Sequence, residues 1–514
     1  VIASLRSNLS FLFATPEQPR SPCCARNDRI CARNPQQGFD KKEPNHPFAT
    51  ACTTPKSHIR DGILPPMQKQ NRPLLIAAII ITALLLCCLV IILLTGAFTF
   101  LRAQSSSEPT STSPSETPQA GNELNTSLQE IETQVSQLRE LTLSNPLPLE
   151  VLTPDELANT VREEFFADYS AEEAAQDVHG LSLLGLLPAD FDLLNFYQAL
   201  YAEQIAGYYD NEKQTMFVVS GQEFGGIERS TFAHEYVHAL QDGHFGFEEN
   251  MRYSDEYCDQ DSERCAALQA LIEGDAVLGE SMWLQNFATS QDISDIQNFY
   301  NSYQSPVWDS APTYMQLDQS FAYQQGFEFV QYLYNSGGYA AVNRAFVEEQ
   351  PLSTEQIMHP SRYPTDRPAQ VTLPDLAEAL GKDWEAWEQD SLGEWYTYLV
   401  LSSAYDSGQR LQSDRASAAA EGWGGDRYML LTNASSAENA FVLTSVWDTP
   451  TDAQEAFEAF DAYLNLRFGD RDKLGMYVGD AQFSDLRLSG QGQLTWVVTD
   501  SAASLSALQT VLWP

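Results

Sequence analysis

Positive charge is scarce in this chain. Lys and Arg number 29 against 70 Asp and Glu, a formal net charge of −41. A protein that grips phosphates needs a basic face, so nucleic acid is excluded as a partner. No repeat of fixed period occurs, which argues against a solenoid or propeller. Cysteine is thin where the chain is longest. Cys23, Cys24, Cys31 and Cys52 lie in the N-terminal tail, and Cys87 and Cys88 in an apolar run. Only Cys258 and Cys265 remain downstream, one pair able to close a short-loop disulfide if that part lies outside the cell. One stretch lacks charge altogether: Pro73 to Leu101, PLLIAAIIITALLLCCLVIILLTGAFTFL.

What is present is ample. With 514 residues, 43% of them hydrophobic and 11% aromatic, the chain can bury a large core and form two or three domains. The charge is uneven. Residues 1–73 carry eleven Lys and Arg against five Asp and Glu, which leaves 18 cations and 65 acids for the rest. Such a body stays soluble by self-repulsion and suits a salty medium that screens it.

The uncharged run exceeds the roughly 20 apolar residues a bilayer-spanning helix needs. Arg60, Lys69 and Arg72 precede it and only Arg102 follows closely. The positive-inside rule then predicts a single-pass protein of the cell membrane, held through residues 74–101, with its N-terminus in the cytoplasm and everything after Arg102 outside. Residues 1–66 show no sustained periodicity and read as a disordered tail, or as a mistranslated upstream segment ahead of a natural start at Met67. The anchor segment is then 67–102. Residues 103–120, AQSSSEPTSTSPSETPQA, form a Ser/Thr/Pro-rich tether.

Beyond the tether, Leu124, Leu128, Ile131, Val135 and Leu138 mark an amphipathic helix. Thr153-Pro154-Asp155-Glu156 reads as a helix start, and more helices are expected through Ile205. Tyr208-Tyr209, the turn at 210–213 and Thr215–Val219 read as a β-hairpin. Helices are expected from about Glu228 to Gly243 and from Cys265 to about Phe287. Past Gly422-Trp423-Gly424-Gly425-Asp426, strand-like runs at 427–431, 440–447, 476–478 and 494–499 alternate with helical runs at 453–466 and 503–512. The expected organisation is a mainly α unit with a small β-sheet over 121–415, then a small α+β unit over 416–514.

The strongest chemical signal is His234-Glu235-Tyr236-Val237-His238, an H-E-x-x-H pattern on an expected helix. Its i, i+4 spacing sets two imidazoles on one face, one turn apart, where both can approach one metal ion. Glu235 can reach a water there without being a ligand. Zinc needs a third protein ligand and an open position. Glu273, in the helical stretch Leu271-Ile272-Glu273-Gly274-Asp275-Ala276, supplies it, and Gly274 and Ala276 are small enough for that helix to approach the first. Asp275 and Glu280 are weaker ligand candidates. Asp242 is a candidate to orient a ligand imidazole.

H-E-x-x-H followed by a helical E-G-D-A resembles the gluzincins, the Glu-liganded branch of the zinc metallopeptidases. Taken together, AHEYVHALQDGHF, ALIEGDA, STEQIMHPSRYP and EGWGGDRY resemble a family of largely uncharacterised bacterial membrane-anchored or secreted proteins of that type, across residues 150 to 460. The resemblance implies a zincin-like α+β metallopeptidase domain. It implies Zn2+ held by His234, His238 and Glu273, with Glu235 as general base and a peptide or protein as substrate. The strand Thr215–Val219 would then be an edge strand that pairs with extended substrate. His359, Tyr363 and Tyr209 are candidates for the further donor such chemistry needs. The gap between His238 and Glu273 is longer than is common in gluzincins, and the insertion carries Cys258 and Cys265. Two other functions fit the same residues: a zinc-bearing scaffold or binding module without turnover, and a metallohydrolase acting on bonds other than peptides.

Overall fold

The apolar stripe from Leu124 to Leu138 folds as helix α1 (Pro118–Arg139), and the stripe is where it packs. Leu128, Ile131 and Val135 are buried in the main core. This is an amphipathic helix laid on a globular body. It begins inside the tether expected over 103–120. The computed structural model describes residues 118–160, 166, 169–204, 207–219 and 224–514, all of them in one compact unit. The tail expected over 1–66 and the membrane helix expected over 67–102 lie outside the described residues. Among the described residues no helix is long and apolar enough to cross a membrane.

The fold is mixed α+β. Strand β1 (Leu149–Leu152) leads into α2 (Pro154–Thr160). Thr153 and Glu156 cap that helix reciprocally: Glu156 N–H donates to Thr153 Oγ1 and Thr153 N–H to Glu156 Oε2. Helices α3 (Ala171–Leu183) and α4 (Leu193–Gln204) follow, then the hairpin β2 (Gly207–Asp210) and β3 (Thr215–Val219). These strands form a three-stranded sheet in the order β1-β3-β2, with β1 parallel and β2 antiparallel to β3.

Three long helical stretches come next: α5 (Gly226–Phe245), then, after the short α6 (Asp255–Cys258), α7 (Ser262–Asn286), and, after α8 (Ser290–Ser302) and the short α9 (Pro306–Asp309), α10 (Thr313–Val347), which kinks at Gly337 and Gly338, where the backbone leaves helical geometry. Cys258 and Cys265 are disulfide-bonded, tying the end of α6 to the first turn of α7.

The chain then passes through α11 (Thr354–Met358) and α12 (Leu376–Leu380) into a six-stranded antiparallel sheet. Its strands are β4 (Trp384–Asp390), β5 (Trp423–Asn433), β6 (Asn439–Trp447), β7 (Tyr477–Val478), β8 (Phe483–Leu488) and β9 (Leu494–Thr499), in the order β4-β5-β6-β9-β8-β7. Helices α13 (Gly393–Ser402) and α14 (Ser413–Ala420) lie between β4 and β5, α15 (Pro450–Phe468) follows β6, and α16 (Ala502–Leu512) ends the unit. The sheet thus starts at β4, ahead of the boundary expected at 416. Its central strands are apolar on both faces because both are covered. Tyr428, Leu430, Phe441 and Trp496 point into the main core. Met429, Leu431, Val442 and Val497 pack under α12 and α16.

The boundary between helices and sheet is rich in buried carboxyls. Burial pushes Asp177 up to about 7 and Asp426 up to about 6. Burial, with the charges of Glu394, Asp366 and Asp448, pushes Glu355 up to about 8. The folded chain therefore holds these protons more tightly than the unfolded chain, where carboxyls titrate near about 4. Their stabilising effect is complete below the unfolded value and is lost as pH rises through the folded ones. With a chelator present throughout, the melting temperature is expected to fall as pH rises from about 5 to about 8.5. Asp177→Asn, which is neutral at every pH and of the same shape, is expected to flatten that fall. A melting temperature that climbs over the interval contradicts the assignment.

Candidate metal centre

The H-E-x-x-H segment lies in the middle of α5, a helix buried on nearly every side. Phe232, Ala233, Val237 and Leu240 are in the core. The helix stops at Gly246, which takes φ of 64°, and whose N–H donates to Asp242 O. At 3.6 residues per turn, His234 and His238 share a face. Their Nε2 atoms lie 3.2 Å apart.

The third corner comes from α7. Glu273 Oε2 is 3.2 Å from His234 Nε2 and 3.4 Å from His238 Nε2. All three residues are buried. A tetrahedral zinc with bonds of about 2.0–2.1 Å spaces its ligand atoms about 3.3 Å apart. The triangle matches that spacing on every edge, and two imidazoles with a carboxylate are a donor set zinc takes. The residues present therefore fit the ion.

Burial and charge act against each other in this cluster. Burial alone would lower His234, but the Glu273 hydrogen bond and the charges of Glu273 and Glu280 outweigh it and raise the imidazole to about 10. The mirror effect acts on Glu273: burial favours its neutral form, and the charges and hydrogen bonds of His238 and His234 pull it down to about 2. His238 is likewise raised, burial being outweighed by Glu273.

Behind the triangle stands a ring of polar supports. His234 Nδ1 faces Glu280 Oε2 at 3.4 Å, longer than a good hydrogen bond. Glu280 Oε1 in turn accepts from Ser230 Oγ at 2.5 Å. His238 Nδ1 meets Gln241 Oε1 at 2.9 Å. Gln241 Nε2 donates to Ile272 O and Asp275 Oδ2, both at 2.9 Å. Asp275 and Glu280, weaker ligand candidates by sequence, thus sit one layer out from the triangle. Asp242 does not orient an imidazole. It accepts from Tyr209 OH and from Phe247 N–H, each at 3.0 Å. Gln241, which the sequence reading passed over, takes that place.

Glu235 is 1% exposed and is not a corner of the triangle. Its Oε2 accepts the backbone N–H of Tyr209 at 3.0 Å, so β2 sets the plane of the carboxylate. This corrects the expectation for Thr215–Val219. Strand β3 is the middle strand, paired on both sides, and has no edge to offer an extended substrate.

The approach of α7 depends on glycine, though not as expected. A Cβ on Gly274 would meet Gly326 O at 2.1 Å, and one on Gly326 would meet Ala270 O at 2.2 Å. These two glycines let α7 and α10 touch backbone to backbone. The face toward α5 is opened by Gly279, where a Cβ would meet Val237 Cγ2 at 2.7 Å. Glu273 and Gly274 are neighbours in sequence, hence about 100° apart around the helix, and cannot both face α5.

The candidate donors His359 and Tyr363 are engaged elsewhere. His359 Nε2 pairs with Glu394 Oε1 at 2.8 Å, and Tyr363 OH donates to Glu349 O. The segments STEQIMHPSRYP and EGWGGDRY form a polar seam between helices and sheet. Arg362 bridges Glu355 at 2.8 Å and Glu421 at 3.1 Å. Asp426 accepts from Leu392 N–H, Gly393 N–H and Trp423 Nε1. The phenol ring that stands beside the triangle is Tyr323 of α10, half-buried, its centroid 6.3 Å from that of His234 and its plane within 28°. No motif marks Tyr323. The one local hint is Gly326, three residues on, at the close helix crossing.

A family model described as Domain of unknown function (DUF8575) matches residues 382–511. That span covers the six-stranded sheet with helices α13 to α15, from just before β4 into α16, and leaves out α5, α7 and α12. No curated protein and no solved structure matches the chain.

Proposed function

We propose that the protein is a membrane-anchored zinc peptidase of gluzincin type, working outside the cytoplasm. The observation that carries the reading is the triangle of His234 Nε2, His238 Nε2 and Glu273 Oε2, with edges of 3.2 to 3.4 Å and with Glu235 beside it as a buried carboxylate that is not one of the three. A purely structural zinc site is closed by four protein ligands and has no use for that extra carboxylate. The uncharged run at 73–101 and the Cys258–Cys265 disulfide support the membrane and the oxidising side.

When bound, zinc would supply Lewis acidity toward a substrate carbonyl and lower the pKa of a water. The remaining steps belong to side chains of this protein. The Glu235 carboxylate, steadied by Tyr209 N–H, takes a proton from the attacking water and hands it to the departing amine. Glu280 and Gln241 hold the two imidazoles in place from behind. Tyr323 lays its ring beside that of His234 at the edge of the triangle.

Metal analysis and peptide hydrolysis test the reading together. The purified protein is expected to carry one zinc per chain and to cleave members of a broad peptide library, with cleavage abolished by chelation and restored by zinc. His234→Ala is expected to lose the metal and the activity. A folded wild-type protein that retains no zinc at micromolar levels ends the proposal. One that holds zinc but cleaves only esters or non-peptide amides redirects it to another hydrolase.

A further inference from the structure

Arg139, the last residue of α1, is fully buried. Its Nε donates to Asp275 Oδ2 at 2.8 Å, and its guanidinium lies 4.4 Å above the ring of Tyr339. Among the described residues its Nη1 and Nη2 have no hydrogen-bond partner. A cation so poorly solvated is expensive to bury, and it remains because of what it holds.

What it holds is the network behind His238. Asp275 Oδ2 accepts from both Arg139 Nε and Gln241 Nε2. The Gln241 amide nitrogen donates its other hydrogen to Ile272 O. Turning that amide over would set its oxygen against a carbonyl and a carboxylate, two acceptors with no proton to share. The amide is therefore locked with Oε1 toward His238 Nδ1, 2.9 Å away. An amide oxygen only accepts, so the proton must be on Nδ1. The lone pair of His238 is thereby on Nε2, the atom turned to His234 and Glu273.

We propose that Arg139 is a positioning residue for the metal centre: acting through Asp275 and Gln241, it fixes the His238 tautomer that can ligate, so that the helix following the N-terminal tether is a working part of the site. This rests on the zinc-peptidase reading of the same triangle. It goes beyond that reading by tying metal affinity to a residue that touches neither metal nor substrate, and that comes from an element remote in sequence from α5 and α7. Asp275→Asn should loosen the lock. The new amide group can present a donor where Oδ2 accepted, which leaves Ile272 O as the one acceptor that holds the Gln241 amide in place.

The test is zinc affinity of the full chain, measured by competition with a chromophoric chelator. Loss of an outer partner of a ligand histidine typically weakens metal binding 10- to 100-fold. Arg139→Met and Asp275→Asn are each expected to weaken zinc by that factor, and Arg139→Lys to recover most of it. With cobalt as the probe metal, the visible absorption of Arg139→Met is expected to shift in position and intensity. Tyr463→Phe, which removes a buried hydrogen bond from α15 to Leu184 O at the end of α3, serves as a purely structural control. It is expected to lower the melting temperature with zinc affinity unchanged.

Wild-type zinc affinity and cobalt spectrum in Arg139→Met, whatever its melting temperature, overturn the proposal. Should Arg139→Met not fold, Gln241→Met carries the same test, because it removes the acceptor and leaves the Arg139–Asp275 pair whole. Wild-type affinity there overturns the proposal equally. A wild-type chain that binds no zinc in this assay fails the peptidase reading itself, and the two failures are thereby told apart.

Discussion

Replacing Glu235 by Gln is expected to cut peptide hydrolysis by roughly 10²–10⁴-fold, the usual worth of a positioned proton-transfer group, while the protein keeps its zinc. Gln has the shape of Glu, and its amide oxygen can still accept the Tyr209 N–H that Glu235 Oε2 accepts at 3.0 Å. What the amide cannot do is take up a proton from water and release it to an amine. The metal should stay because the three corners of the triangle are His234, His238 and Glu273. A rate loss of this size corresponds to about 3–5 kcal/mol of lost transition-state stabilisation. The measurement is metal content beside kcat on any peptide the wild type cleaves. Full turnover in Glu235→Gln removes the residue from the chemistry. Loss of zinc along with turnover makes it a support of the site and not a proton carrier.

Gly274→Ala is expected to be strongly destabilising. On an open helix surface the change would help, since Ala is favoured over Gly by about 1 kcal/mol in a helix interior. Here the new Cβ would stand 2.1 Å from Gly326 O and 2.3 Å from Gly326 C. Those are backbone atoms in the middle of α10, with no rotamer to escape into, so the two helices must part. Overpacking in a core costs about 1–3 kcal/mol, and more where backbone must move. The expected net loss is about 3 kcal/mol, read as a drop in denaturation midpoint. Because Glu273 is the adjacent residue, a displaced α7 should also carry its carboxylate off the triangle and weaken zinc. Gly490→Ala, at a position with nothing within 4 Å of the added carbon, is the matched control and should be neutral to within about 0.5 kcal/mol. Equal stability of the two variants would mean that the α7–α10 crossing is not set by this contact.

Much of the helical part was legible because its signals are local. The i, i+4 imidazoles, the reciprocal cap of Thr153 and Glu156, the hairpin at 207–219 and the stripe of α1 each depend on residues a turn or less apart. The six-stranded sheet was read less completely. Strands β5, β6, β7 and β9 were anticipated, but β4 and β8 were not. The β4 sequence, Trp-Glu-Ala-Trp-Glu-Gln-Asp, carries three acids and looks like exposed loop. It is a strand because it borders the sheet, where Glu385 faces solvent while Glu388 and Asp390 find partners in Tyr428, Ser262 and Ser391. In β8, Phe-Ser-Asp-Leu-Arg-Leu, Asp485 is buried, and besides Arg487 on its own strand face it pairs with Arg471 from outside the strand, a partnership that strand spacing does not reveal.

What the amino-acid order alone determined is the pair of imidazoles and the carboxylate next to them, because helix pitch leaves His234, Glu235 and His238 no other relative placement. It also marked Glu273, Asp275 and Glu280 as acids on a second helix without ranking them securely. Only the tertiary structure decided their parts. The rotation of α7, set by Gly279 against α5 and Gly274 against α10, turns Glu273 to both Nε2 atoms, Glu280 to His234 Nδ1 and Asp275 toward Gln241. Arg139 and Tyr323 came to the centre by packing alone. Side chains that meet across four helices are brought together by how whole surfaces fit, and no spacing within one segment encodes that fit.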